Sequence, residues 1–319
     1  AASDVYKRQG QIKIQSQIHR RFGSMSLFKP SLYFVYLAKR YLKNLLAILF
    51  GLSFAFAAID YFQHVQQFDV ASNYKILYIF YMWEVALGLL YPLAIVFALI
   101  MTKITLIKNN TMGAFHAFGY DKKRLFTPLL VVASVTYLIF LGLNSTEFSY
   151  AKDKASFIVD NEMGPNAVDD LFFKYNDTFV YITKLHPVEK KITDITIFKV
   201  KGFQVLYTIN APLATFDGEK WTAHDATLKT HIYENDVLKR YTIEHKERIE
   251  TLEGYKPKII ESLYAGKSLN ILDAYHTWKL LQKQNLNSDK IRAILYDKVV
   301  MPLSSMALLL ILFLSLIHI

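Results

Sequence analysis

Four long apolar runs constrain this chain more than anything else in it. They are Tyr41–Tyr61, with the core LLAILFGLSFAFAAI at Leu45–Ile59, then Ile76–Met101, Leu125–Leu143 and Val299–Ile319. Each approaches or exceeds the roughly 20 mostly apolar residues that cross a bilayer as a helix. Sharply polar intervals separate them, which a single water-soluble core could not accommodate. The first run starts about 40 residues in and has no small-residue cleavage site, so it is not a signal peptide. Only 12 Gly and 8 Pro accompany 53% apolar residues, which excludes a disordered chain. The absence of cysteine excludes a disulfide scaffold and a thiolate metal site.

Lys and Arg in short loops stay on the cytoplasmic side. Lys7, Arg8, Lys13, Arg20, Arg21, Lys29, Lys39, Arg40 and Lys43 precede or open the first run. The loop from Gln63 to Lys75 has one basic residue, Lys75, whereas the next has Lys103, Lys108, Lys122, Lys123 and Arg124. The N-terminus is therefore expected inside, and the long segment after the third span outside. A net charge of +10 then reports topology. A nucleic-acid partner is not expected, because no basic face with a recognition element is present. The opening AASDVYKRQ and the closing LSLIHI resemble translated adapter sequence. Residues 1–9 and 314–319 are set aside on that ground, and the natural chain is expected to continue past Phe313.

The outer segment changes character. In TFVYITKL, Phe179, Tyr181 and Leu185 alternate with Val180, Ile182 and Lys184, and Phe203, Val205, Tyr207 and Ile209 alternate in the same way. This is the two-residue period of strands. Lys201-Gly202, Asp217-Gly218 and Glu234-Asn235-Asp236 supply the turns. Five to eight antiparallel strands are expected, as a sandwich or jelly roll, followed by helices over Leu269–Asn285 and Ser288–Lys298. The fold class is a helical polytopic membrane protein with an inserted antiparallel β domain. Its expected segments are an N-terminal stretch 1–36, spans one to three over 37–144, a β domain over 145–268, connecting helices over 269–298 and a fourth span over 299–319.

Catalytic patterns are missing: there is no HExxH, GxSxG, Walker A or dinucleotide glycine motif, and the nine histidines are scattered. Glu84 is the one acidic residue inside a span, costly at that depth unless it reaches the interface. The inner loop is more informative. Asn109, Asn110 and Thr111 start a two-turn helix that Gly119 stops. Its Met112, Phe115 and Phe118 make it too short and too apolar to persist undocked.

In order and in local pattern the chain resembles the LptF/LptG permeases of the lipopolysaccharide export transporter, and the LptG branch more closely. NNTMGAFHAFGYDKKRL is similar to the family's coupling-helix segment, and DTFVYITKL and ATFDGEKW to two of its jelly-roll strands. The stretch from Leu269 to Leu310 resembles its connecting helix and the start of its fourth span. The resemblance implies an inner-membrane subunit without cofactor, whose ATP is hydrolysed by a partner. The implied partners are a homologous permease, a cytoplasmic ATPase dimer, a periplasmic bridge, a single-span regulator, and lipopolysaccharide within the surrounding membrane lipid. The implied docking residues are Thr111, Met112, Phe115, His116, Phe118 and Gly119. Candidate lipid-groove residues are Phe179, Tyr181, Phe203, Val205 and Tyr207, and candidate lipid-phosphate contacts are Lys152 and Lys154. Thr111 stands where the family usually has a glutamate, the outer part of the first span has no lysine, and spans five and six are not in this sequence. The alternatives are a force-transmitting ABC permease of another type, whose outer domain follows its first span, and a membrane-anchored scaffold, which needs no docking helix.

Overall fold

A computed structural model describes residues 31–67, 71–159, 167–234 and 237–315. The expectations for residues 1–9 and 316–319 fall outside that set. Among the described residues, four helical segments are long and apolar enough to cross a membrane: Leu32–His64, Ser72–Lys108, Lys123–Leu143 and Asp289–Phe313. We label α1 Leu32–His64, α2 Ser72–Lys108, α3 Thr111–Ala117 and α4 Lys122–Leu143. Helix α1 begins five residues before the boundary expected at 37, because LYFVY is already apolar enough to continue the helix beyond the membrane core.

The bundle interior combines leucines and aromatics, such as Leu45, Leu99, Leu129 and Phe140, with small and polar residues. Ala57, Ala86, Ala94, Ala98 and Ala133 are fully buried, as are Ser53 and Thr102. Small side chains let the backbones approach, which drives helix association where lipid is as apolar as leucine. Tyr41 donates to the Ile95 carbonyl at 2.8 Å, and Asn44 donates to the Thr102 hydroxyl at 2.9 Å. Other large apolar side chains point outward, with Phe54 65% and Leu89 62% exposed.

Residues after α4 do not enter the sheet at once. A 3₁₀ turn at Glu147–Tyr150 leads into α5, Ala151–Val159, whose Ala155 and Ile158 pack on Tyr78 of α2. The β domain expected from 145 therefore starts with a helical layer on the end of the bundle. The strands proper run from 168 to 251.

These are β1 Val168–Tyr175, β2 Thr178–His186, β3 Lys191–Lys201, β4 Gln204–Phe216, β5 Trp221–Glu234 and β6 Val237–Thr251. They form one antiparallel sheet in sequence order, a meander in which each strand pairs with its chain neighbour. A crease crosses all six. Asp170, Thr183, Asp194, Pro212, Asp225 and Glu247 lie on one line across the sheet and are missing from the pairing, whose register otherwise shifts only at Lys199/Val200 and Ile232/Tyr233. Asp170, Asp194 and Asp225 have φ of 55°, 53° and 52°, the left-handed region that Asp tolerates better than most residues. The crease flips which alternate residues face the core. Val180 and Ile182 are buried on one side of it and Leu185 on the other, as are Ile195 and Ile197 against Ile192. Leu185 thus belongs with Val180 and Ile182, and not with Phe179 and Tyr181 as strict alternation suggests.

Helix α6, Pro257–Ala265, covers one end of the core face, where Phe173 stacks on Tyr264 at 4.4 Å. Trp221 is fully buried and donates to the Tyr255 carbonyl at 2.6 Å. Helices α7, Ile271–Lys283, and α8, Asp289–Leu295, return the chain to the membrane. A π turn at Tyr296–Val300 and a 3₁₀ turn at Met301–Leu303 then join α9, Ser304–Ser315.

Candidate functional site

At the end of the bundle that carries the α2–α4 loop, Asn110 breaks the chain between α2 and α3 with a φ of 55°. Gly119 ends the turn after α3 with a φ of 77°. Met112 and Phe115 pack against the bundle core, while Phe118 is 81% exposed. The three residues expected to act together are therefore divided between an anchored face and a projecting knob. The side chain of His116 lies outside the described residues.

Helix α1 supplies the other wall. Tyr33 meets Tyr120 at 4.6 Å and Tyr36 meets Phe115 at 6.3 Å between ring centroids. Together with Leu32, Val35, Thr111, Phe118, Gly119 and Arg124 they line an open groove of about 950 Å³. Sequence reasoning missed this wall. Its only signal was the aromatic spacing of Tyr33 and Tyr36, which the basic residues around it masked.

The candidate groove residues of the sheet divide between two faces. Phe179 pairs with Phe198 and Tyr181 with Thr196, on the face opposite the core. There Phe172, Phe179 and Phe198 stack with centroids 5.7–6.0 Å apart, and Tyr181 donates to Asp170 at 2.5 Å. Tyr207 pairs with Lys199 and Val205 with Val200. Tyr207 and Val205 share the side of β4 that Ile209 and Ala211 turn to the core, where they are only partly buried. Phe203 sits fully exposed in the β3–β4 turn.

Lys152 and Lys154 point into different cavities. Lys152 lines a space of about 250 Å³ with Glu84, Asp297 and Lys298. Glu84 is therefore partly buried beside charged groups of α5 and of the 296–300 turn. Lys154 lines a larger space beside α6 and makes an ion pair with Glu147 at 3.3 Å. Burial alone would raise the Glu147 carboxyl, but Lys258 and Lys154 outweigh it and hold the group below the usual carboxylate range.

The family model described as lipopolysaccharide export system permease LptF/LptG matches residues 35–318, nearly the whole chain. The chain belongs to that family. No curated protein matches it. This permease is accordingly a multi-pass inner-membrane protein of lipopolysaccharide export, not an enzyme, and its family works within an export complex. The match covers the crossing helices, the α3 loop and the sheet alike, so the inserted β domain is part of what defines the relationship.

Proposed function

We propose that this permease lifts lipopolysaccharide out of the inner membrane toward its sheet domain, driven by ATP hydrolysis in a separate cytoplasmic ATPase dimer. The observation that carries this reading is the groove beside α3. Anchored Met112 and Phe115 make α3 rigid with the bundle, so a load on exposed Phe118 is passed to α1, α2 and α4. The side chain of Arg124, exposed at the groove rim, supplies the charged contact where Thr111 replaces the family glutamate, and pairs with a carboxylate of the ATPase.

A second permease of the same family completes the membrane unit, with the N-terminus cytoplasmic and the sheet periplasmic. Acyl chains then follow the core-side face of the sheet past Val205 and Tyr207, where α6 no longer covers it. Strand β6 is exposed along most of its length, which suits strand addition by the periplasmic bridge or the single-span regulator. Lys152, beside Glu84, is the lysine placed to meet lipid phosphate.

The test uses the assembled transporter in proteoliposomes, with a photo-crosslinking amino acid at Tyr207 or at Phe179. ATP-dependent lipopolysaccharide adducts are expected at Tyr207 and not at Phe179, because the two lie on opposite faces. Adducts at neither, with the ATPase active and both labels exposed, reject the sheet as the route. Phe118→Glu should abolish ATP-dependent transfer while leaving the thermal unfolding of the permease unchanged. Unimpaired transfer would reject the groove as the ATPase seat.

A further inference from the structure

A cavity of about 410 Å³ opens where the start of α2, α5, α6 and the β2–β3 turn meet. Its size suits a lipid headgroup and glycerol backbone. Its floor is apolar and faces the membrane side. Tyr74, Leu77 and Tyr81 follow one another at helical spacing along α2, with Tyr74 37% and Leu77 38% exposed. Helix α2 has 37 residues, about 55 Å at 1.5 Å each, so its first turns reach beyond a hydrocarbon core of roughly 30 Å. The cavity therefore sits at the membrane–water boundary.

Five charged side chains line it: Asp153, Lys154, Lys258, Glu261 and Lys267. Three are already committed. Glu147 holds Lys154 at 3.3 Å and Lys258 at 3.1 Å, and Lys258 also lies 3.9 Å above the Tyr150 ring. Asp153 accepts from the Ser268 backbone at 2.8 Å and from its hydroxyl at 3.2 Å. The side chains of Glu261 and Lys267 make no hydrogen bond or close ion pair with the described residues, although they lie near enough to attract one another. What the protein leaves open is one carboxylate and one ammonium over an apolar stripe at the membrane surface.

We propose that this cavity binds a zwitterionic phospholipid, with its primary amine on Glu261, its phosphate on Lys267 and one acyl chain along Tyr74, Leu77 and Tyr81. An anionic phospholipid such as phosphatidylglycerol satisfies Lys267 but offers Glu261 no cation. A neutral lipid satisfies neither. The inference requires only that the bundle lies in a bilayer and is independent of the export reading.

The test is native mass spectrometry of the full chain, purified in mild detergent in whatever complex it forms. Phosphatidylethanolamine, phosphatidylglycerol and lipopolysaccharide are the added lipids. The chain should retain phosphatidylethanolamine about tenfold better than phosphatidylglycerol, a ratio set by one charge-assisted contact. Glu261→Gln should remove that preference by weakening phosphatidylethanolamine alone. Lys267→Met should weaken both phospholipids together, and Leu77→Trp should do so with the charges intact, which serves if the lysine variant does not fold. Equal retention of the two phospholipids, or a preference that Glu261→Gln does not move, overturns the proposal. So does displacement of phosphatidylethanolamine by lipopolysaccharide in a Glu261-independent way, which would make the cavity part of the cargo path.

Discussion

The membrane bundle and the sheet domain build their interiors differently. Inside the bundle, Leu45, Leu99, Leu129 and Phe140 share the core with the small or polar Ala57, Ala86, Ala94, Ala98, Ser53 and Thr102, while other leucines and phenylalanines face outward. Inside the sheet domain lie Val180, Ile182, Ile192, Ile195, Ile197 and Trp221, while β6 is exposed along most of its length, its charged residues interspersed with Val237, Leu238, Tyr241 and Ile243. In water, large apolar side chains stabilise by leaving the solvent, at about 25 cal/mol per Å². In lipid that transfer gains nothing, and close approach of backbones with paired hydroxyls takes its place. One chain therefore follows two burial rules, and the boundary between them runs through α5 and α6.

Mutations of matched size should separate the two rules. Trp221→Ala removes the largest buried side chain of the sheet domain together with its bond to Tyr255, and should cost about 3–5 kcal/mol. Limited proteolysis should then cut within 168–251 while the spans stay protected. Ala98→Leu inserts bulk where α2 meets α1, next to the Tyr41–Ile95 bond, and should cost about 1–3 kcal/mol in detergent melts. If it proves neutral, the small-residue rule is wrong for this bundle.

Smaller effects sharpen the boundary between the two rules. Burial holds the Glu261 carboxyl above the usual carboxylate range, so its ionisation opposes folding. That penalty is absent below the unfolded carboxyl pKa of about 4.3 and grows as pH rises through it. Glu261→Gln should therefore raise Tm at neutral pH by less than either core variant lowers it, and the gain should vanish near pH 4. Leu89→Ala, facing lipid, should stay within about 0.5 kcal/mol of wild type, although Leu89 is as large as the sheet's buried leucines. A loss of several kcal/mol there would mean that Leu89 meets protein in the assembled complex.

The spans were readable because apolar length has one explanation at 20 residues, and in the sheet Gly202 and Gly218 marked strand turns through positive φ. Strand β2 was placed nearly residue for residue. Its facing was not, because a period of two carries no sign of a kink, and Asp170, Asp194 and Asp225 look like ordinary surface residues in a string of letters. The groove beside α3 was half visible for a related reason. Met112, Phe115 and Phe118 are local to one loop, whereas Tyr33 and Tyr36 come to it from about 80 residues upstream through tertiary packing. Lys152 and Lys154 looked like a pair, yet two residues apart on a helix they diverge by about 200°.

The line of bends across the sheet has a consequence for how the strands find one another. A slip by one residue is ordinarily blocked because it turns apolar side chains to water, but a slip by two keeps every face and is the error a long ladder tolerates most easily. In this sheet a two-residue slip would set the left-handed Asp194 beside an extended stretch of β2 or β4, and the facing flip of one strand would no longer match its neighbour's. Every second strand, β1, β3 and β5, carries a left-handed Asp on this line, so only one alignment lets the strands nest. The crease thus works as a notch cut in alternate strands, an assembly key that rejects misaligned hairpins while the domain is still forming.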